Sequence, residues 1–291
     1  MPRYPTFLWP CLAGLTLSAA LSAQDPGAAG GSPRFQVELP AGAADRALDG
    51  RLLLMLSKND EAEPRFQIVD GAGTQQVFGV DVEGWEPGTT RVVDAAAFGY
   101  PLESLAQVPA GEYFAQALLH RYETFHRADG HVVKLPMDRG EGQQWNRAPG
   151  NLLSTPVSVT IEPASRAPIR LRLDRELPPI PQPPDTKYVR HFKIRSELLS
   201  AFWGRDMELG AVVLLPRGFD EHPEARYPLI VEHGHFPLSF GEFRESPPDP
   251  GLVPDYSARF RLHGYNRIQQ EAAHELFQDW TGPDFPRWLV I

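Results

Sequence analysis

The residues best suited to chemistry lie between Arg226 and Phe236, in the stretch Arg-Tyr-Pro-Leu-Ile-Val-Glu-His-Gly-His-Phe. Leu229, Ile230 and Val231 make a short, β-rich apolar run, which predicts a buried strand. The run ends in His233-Gly234. A glycine there permits a sharp turn and leaves backbone amides free to face a ligand. A strand that stops in this way suits anion stabilisation at the carboxyl edge of a parallel sheet. His233 and His235 stand two apart, so on a strand they share a face and would hold zinc if a third ligand joined them. No spacing implies that ligand, and a strand-end histidine beside glycine is more often structural. His274-Glu275 lacks the second histidine of a His-Glu-x-x-His site. His120, His126 and His131 bracket Asp129-Gly130, where His126 and His131 could meet across a hairpin turn, although solvated hairpin residues are the commoner case. No Gly-x-Ser-x-Gly occurs in the sequence, so no residue is assigned as catalytic.

The elements that must position these residues fall into two textures. From residue 34 to 176 the pattern is β throughout. Phe35, Val37 and Leu39 alternate with polar residues, and Arg51 to Leu56 is apolar. Phe66 and Ile68 lead into the turn Asp70-Gly71. Glu112 to His126 presents two apolar faces, Phe114, Leu118 and Tyr122 against Tyr113, Ala115, Leu119 and Phe125. Many short strands separated by turn signals, with no convincing helix, predict an antiparallel β-sandwich. Trp85, Tyr100, Tyr113, Tyr122 and Trp145 would serve as its core or as a sugar-stacking platform, and core is the commoner fate of such aromatics. Residues 140–150 are polar and read as a loop over the edge.

Residues 177–186, Leu-Pro-Pro-Ile-Pro-Gln-Pro-Pro-Asp-Thr, predict a stiff polyproline connection and a domain boundary. Beyond it, strands are expected at Val189 to Ile194, Glu208 to Leu215 and Tyr227 to Glu232, with Ser196 to Trp203 as a short connection. Ala272, Ala273, Leu276, Phe277 and Trp280 share one face of a helix over Gln269 to Trp280, ended by Gly282-Pro283. Pro237 to Pro254 is long for a structureless loop, which suggests a functional or lid-like segment. Trp288 to Ile291 begins a further apolar strand. A parallel strand needs neighbours and helices on both faces, so residues 187–291 read as the N-terminal part of a truncated α/β domain.

This second part resembles the α/β-hydrolase superfamily, in particular secreted esterases related to esterase D and feruloyl esterases. The resemblance rests on Gly210-Ala-Val-Val-Leu-Leu-Pro-Arg-Gly-Phe219 and on Arg226-Tyr-Pro-Leu-Ile-Val-Glu-His-Gly234. It implies that His233-Gly234 ends the third strand and that a following amide supplies half of an oxyanion hole, with Gly234, His235 and Phe236 as candidates. Such a donor is worth roughly 3–4 kcal/mol to an acyl-transfer transition state. The family's serine elbow, acid and histidine would all follow residue 291.

Composition fits a globular protein. Net charge is −9, hydrophobic content is 42%, and there are 30 Pro and 25 Gly among 291 residues. An acidic chain without a basic stripe excludes nucleic acid as an expected partner. Arg3, the apolar run Leu8 to Leu21 and the small residues Ala20, Ser22 and Ala23 read as a signal peptide over residues 1–23, cut near Ser22-Ala23. Residues 24–33 follow as a linker. The single cysteine, Cys11, lies in the leader, so the mature chain would have no disulfide and no thiol nucleophile. No membrane span is expected in the mature chain, and no cofactor or metal is implied. The expected parent function is a secreted or periplasmic serine hydrolase of carboxylic esters, acting on small-molecule or polysaccharide-linked substrates. The alternatives are a non-catalytic secreted binding module for glycan or protein and a metal-dependent hydrolase using His233 and His235.

Overall fold

A computed structural model describes residues 32–71, 73–162, 165, 167–233 and 240–291. The predicted signal peptide and all but the end of the linker behind it lie outside the described residues. The chain is mostly β-sheet, 34% strand against 12% helix, arranged in several sheets. Among the described residues no helix is long and apolar enough to cross a membrane.

The first part contains β1 (Phe35–Glu38), β2 (Leu48–Ser57), β3 (Gln76–Trp85), β4 (Thr90–Val93), β5 (Phe98–Tyr100) and β6 (Gly111–His126). Then come β7 (Val132–Leu135), β8 (Leu152–Leu153), β9 (Val157–Ile161), β10 (Ile169–Arg172) and β11 (Arg175–Glu176). A three-stranded sheet runs β10-β1-β4, and a larger one runs β11-β8-β6-β2-β3-β5, with β7 and β9 also paired to β6. The two sheets share one core, in which Phe35, Val37, Val93 and Leu171 of the first meet Leu52, Leu54, Phe78 and Leu119 of the second. One expectation needs correcting. β1 pairs with β10 in parallel, so the arrangement is not purely antiparallel. The partners lie more than 130 residues apart in sequence, and no local pattern fixes the direction of such a pair.

β2 and β6 form the spine. Leu52 faces Leu119, Leu53 faces Leu118, and Leu54 faces Ala117. Large beside small across a ladder fills space without strain. Both strands bury both faces. Leu52, Leu54, Ala115 and Leu119 enter the core between the sheets, while Met55 and Leu118 pack on the opposite side with Leu153 and Leu177. Trp145 closes that side, so residues 140–150 are a packed cover for the sheet. Gln116 lies on this same buried stretch at 0% exposure. Its amide donates to Glu63 at 2.8 Å and to the Ser154 carbonyl at 3.1 Å, and its oxygen accepts from the Arg65 amide at 3.2 Å. Burial of a polar side chain is tolerable here because each group has a partner.

The second part contains β12 (Val189–Arg195), α1 (Glu197–Trp203), β13 (Glu208–Leu214), β14 (Leu229–Ile230), β15 (Tyr256–Ser257), β16 (Leu262–His263), α2 (Tyr265–Thr281) and β17 (Leu289–Val290). Ser196 to Trp203 is therefore a helix and not a bare connection. Ser196 caps it by accepting from the Leu199 amide at 3.3 Å, and Gly204 ends it in the left-handed region at φ 67°. A side chain at Gly204 would also meet the His126 carbonyl oxygen at 2.5 Å. The residue is thus glycine for two reasons, the turn and the close approach of the two parts. α1 rests on the β6–β7 hairpin, where the Ala128 amide donates to the Phe202 carbonyl at 2.7 Å and Trp203 meets Phe125 edge-on at 5.4 Å.

The sheet of the second part runs β12-β13-β17-β14. β12, β14 and β17 point one way, because β13 is antiparallel to both β12 and β17 while β14 and β17 are parallel. α2 begins four residues earlier than its apolar periodicity suggests. Gly264 turns the chain at φ 71°, and the Asn266 amide donates to Asp255 at 3.0 Å, which fixes the first turn. Val189, Leu214, Phe243 and Trp280 form the small core between this helix and one face of the sheet.

Candidate functional site

The predicted anion-binding amides, Gly234, His235 and Phe236, lie outside the described residues. The strand that leads to them is described. The Leu289 amide donates to the Pro228 carbonyl at 2.9 Å, the Ile291 amide to Ile230 at 2.9 Å, and the Glu232 amide to Ile291 at 2.7 Å. The ladder therefore continues past β14 to Glu232, and His233 follows at the carboxyl end of two parallel strands. In open α/β sheets ligands bind at that edge. His233 is exposed. The strands are anchored beneath by aromatics. The Trp280 indole donates to the Leu215 carbonyl at 2.7 Å and packs against Phe285 and Trp288 at 5.3 and 6.3 Å.

Among the described residues no group of three His, Cys, Asp or Glu is placed to hold a metal ion. The His233–His235 pair cannot be placed, because His235 is outside the described residues. The other candidate histidines do not cluster. His126 lies opposite Val132, while His131 turns to Asp129 at 3.2 Å, so the two do not meet across the hairpin. His120 packs edge-on to Tyr122 at 5.5 Å, and burial lowers its basicity. His274 lies on α2, its Nδ1 3.1 Å from the Arg244 carbonyl oxygen. The buried serines are also occupied. Ser57 donates to Gln67 at 2.6 Å, Ser154 accepts from the Ala117 amide at 3.0 Å, and Ser200 accepts from the Met207 amide at 2.9 Å.

The aromatic candidates divide. Trp85 and Tyr113 are core, and Trp145 is packed in the cover. Tyr122 is partly buried beside His120. Tyr100 is 51% exposed, and Phe98, two residues before it on the edge strand β5, is 70% exposed.

Two features escape a reading by motif. The first is a carboxylate in a polar network. Glu63 accepts from Gln116 and Arg65, each at 2.8 Å, and from Arg175 at 3.2 Å. Burial pushes its carboxyl up, but the Gln116 and Arg65 hydrogen bonds and the nearby positive charge outweigh this and hold it below the ordinary range. Arg65 and Asn146 exchange backbone and side-chain bonds, and Asn151 donates to the Trp145 carbonyl at 2.8 Å, which ties down the cover loop. Gln116 inside Ala-Gln-Ala-Leu-Leu was the available signal, since a polar residue in a buried strand demands partners. The second is a chain of cavities along the seam between the two parts. One of about 800 Å³ runs from Arg139 and Ile180 to His191 and Lys193, and one of about 600 Å³ is lined by Arg46, Arg121, Arg139 and Arg205. A third, of about 320 Å³, shares Arg139 and Ile180 with the first and Arg121 and Arg139 with the second.

No family model, curated protein or solved structure matches the chain.

Proposed function

We propose that the chain is the N-terminal portion of an exported serine hydrolase acting on carboxylic esters, with residues 187–291 opening its α/β-hydrolase domain. The observation that carries this reading is the sheet order β12-β13-β17-β14. In sequence order these strands are first, second, fourth and third, with only the second antiparallel, an opening suited to an α/β-hydrolase sheet. The third strand leads into His233 at the carboxyl edge, and the amides that follow it in the sequence would stabilise an oxyanion. A second observation is consistent with it. Leu229, Ile230 and Val231 are 58%, 42% and 71% exposed. Strands of a parallel sheet are normally covered on both faces, so this sheet calls for further elements on its open side. The leader, the sandwich reading of residues 34–176 and the ester substrate belong to the same proposal.

The test is the coding sequence beyond the codon for Ile291. The reading expects a Gly-x-Ser-x-Gly elbow, then an acid and a histidine. The full product should hydrolyse p-nitrophenyl acetate, and replacing the elbow serine by alanine should lower kcat by roughly a thousandfold or more. A stop codon directly after Ile291, or activity indifferent to that serine, would remove the esterase reading. One observation then favours a binding module. Phe98 and Tyr100 stand two apart on an edge strand, so their exposed rings share a face suited to stacking on a sugar.

A further inference from the structure

The cavity of about 600 Å³ at the seam is built from separate segments of the chain. Arg46 comes from the β1–β2 loop, Arg121 from β6, Arg139 from the cover loop and Arg205 from the turn after α1. Two carboxylates, Asp49 and Glu123, share the lining. Four guanidiniums against two carboxylates leave two positive charges in excess, on a chain whose net charge is −9. Asp49 is further engaged by Lys134 at 3.0 Å, outside the cavity. Glu123 pairs with both Arg139 and Arg205 and so fixes the direction of their forks across the seam. Arg121 donates to the Gly150 carbonyl at 3.0 Å and lies 4.0 Å from Glu176. Arg46 has no hydrogen bond or ion pair among the described residues.

We infer that this cleft binds a small dicarboxylate. Guanidinium presents donors in a planar fork that matches a carboxylate with two parallel bonds. Four guanidinium forks against two carboxylates in the lining favour a ligand with two anionic groups. A volume of about 600 Å³ falls within the range of small-molecule sites and exceeds what a single inorganic anion fills. The site is independent of the esterase reading, since none of its lining residues belongs to the strand that leads to His233.

The experiment is isothermal titration of the intact chain with succinate at low salt and pH 7, beside acetate and inorganic phosphate. Saturable one-to-one binding of succinate, at least tenfold tighter than either comparison anion, is expected. Arg46→Ala should weaken it by about tenfold, the effect of losing about 1.4 kcal/mol, with only a small change in melting temperature, because Arg46 touches Asp49 and Glu123 only through charge attraction and not through a hydrogen bond. The double variant Arg46→Ala/Arg205→Ala should abolish binding, and its melting curve reports whether the seam survives. No saturable binding by the wild type overturns the inference. So does phosphate binding as tightly as succinate, or undiminished succinate binding in Arg46→Ala and the folded double variant.

Discussion

The two sheets are built from strands of similar apolarity, yet they reach different degrees of burial. In the first, β2 and β6 are covered on one face by the β10-β1-β4 sheet and on the other by Trp145 and Leu177. In the second, α2 and Phe243 cover one face, and the apolar residues of β14 remain largely in water. Phe192, Ile194 and Leu209 of the β12–β13 pair are exposed as well. Exposed apolar residues on the strands of a sheet mark faces that normally have a partner. The difference teaches that strand-forming sequence and achieved burial are separate properties. The first part covers its strands from within, while the second leaves several of its apolar strand residues in water.

The largest expected effect follows from dividing the chain. Residues 32–182 alone should unfold in one cooperative transition. Residues 183–291 alone should bind the dye ANS strongly and melt without a sharp transition, as loosely packed states do. Calorimetry and dye fluorescence on the two pieces measure this, and a sharp melt of the second piece would break the comparison. Single substitutions sharpen it at a smaller scale. Leu54→Ala, at a fully buried position facing Ala117, should cost about 2–5 kcal/mol in denaturant unfolding. Leu229→Ala, on the open sheet, should stay within about 0.5 kcal/mol. Equal costs would mean that Leu229 is covered after all.

Much of this arrangement is legible in the residues themselves. The alternation at Phe35, Val37 and Leu39 marks β1, and the two-faced run from Glu112 to His126 marks β6. The face shared by Ala273, Leu276 and Trp280 marks α2. What stayed hidden is what depends on distant partners. The parallel pairing of β1 with β10 is a tertiary choice. α1 resembles a bare connection in the sequence because seven residues carry little periodicity, and its cap, Ser196, is the better signal. The Glu63 network and the arginine cleft draw on residues scattered over more than a hundred positions, so no spacing announces them. The strand leading to His233 was legible because its pattern is local, although the amides beyond it lie outside the described residues.

The smallest effect is electrostatic and again separates the two parts. Glu63 is held inside the first part by Gln116, Arg65 and Arg175, with its carboxyl below the ordinary glutamate value of 4.5. A carboxyl depressed on folding contributes stability that is fully present above its unfolded pKa. The contribution is lost as pH falls through the lower folded value. Glu63→Gln keeps the shape but removes the charge, so it should cost about 1–2 kcal/mol at pH 7. Denaturant midpoints of wild type and variant should then converge as pH falls below 4.5, and a gap that stays constant to pH 3 would sink this account. The connection leading into the second part offers a contrast. Asp185 is also held low, by the hydrogen bonds from His191, but its side chain is 55% exposed, and solvent screens such a pair. Asp185→Asn should therefore leave acid unfolding unchanged, and the acid sensitivity of the chain should follow the part whose carboxylate is enclosed.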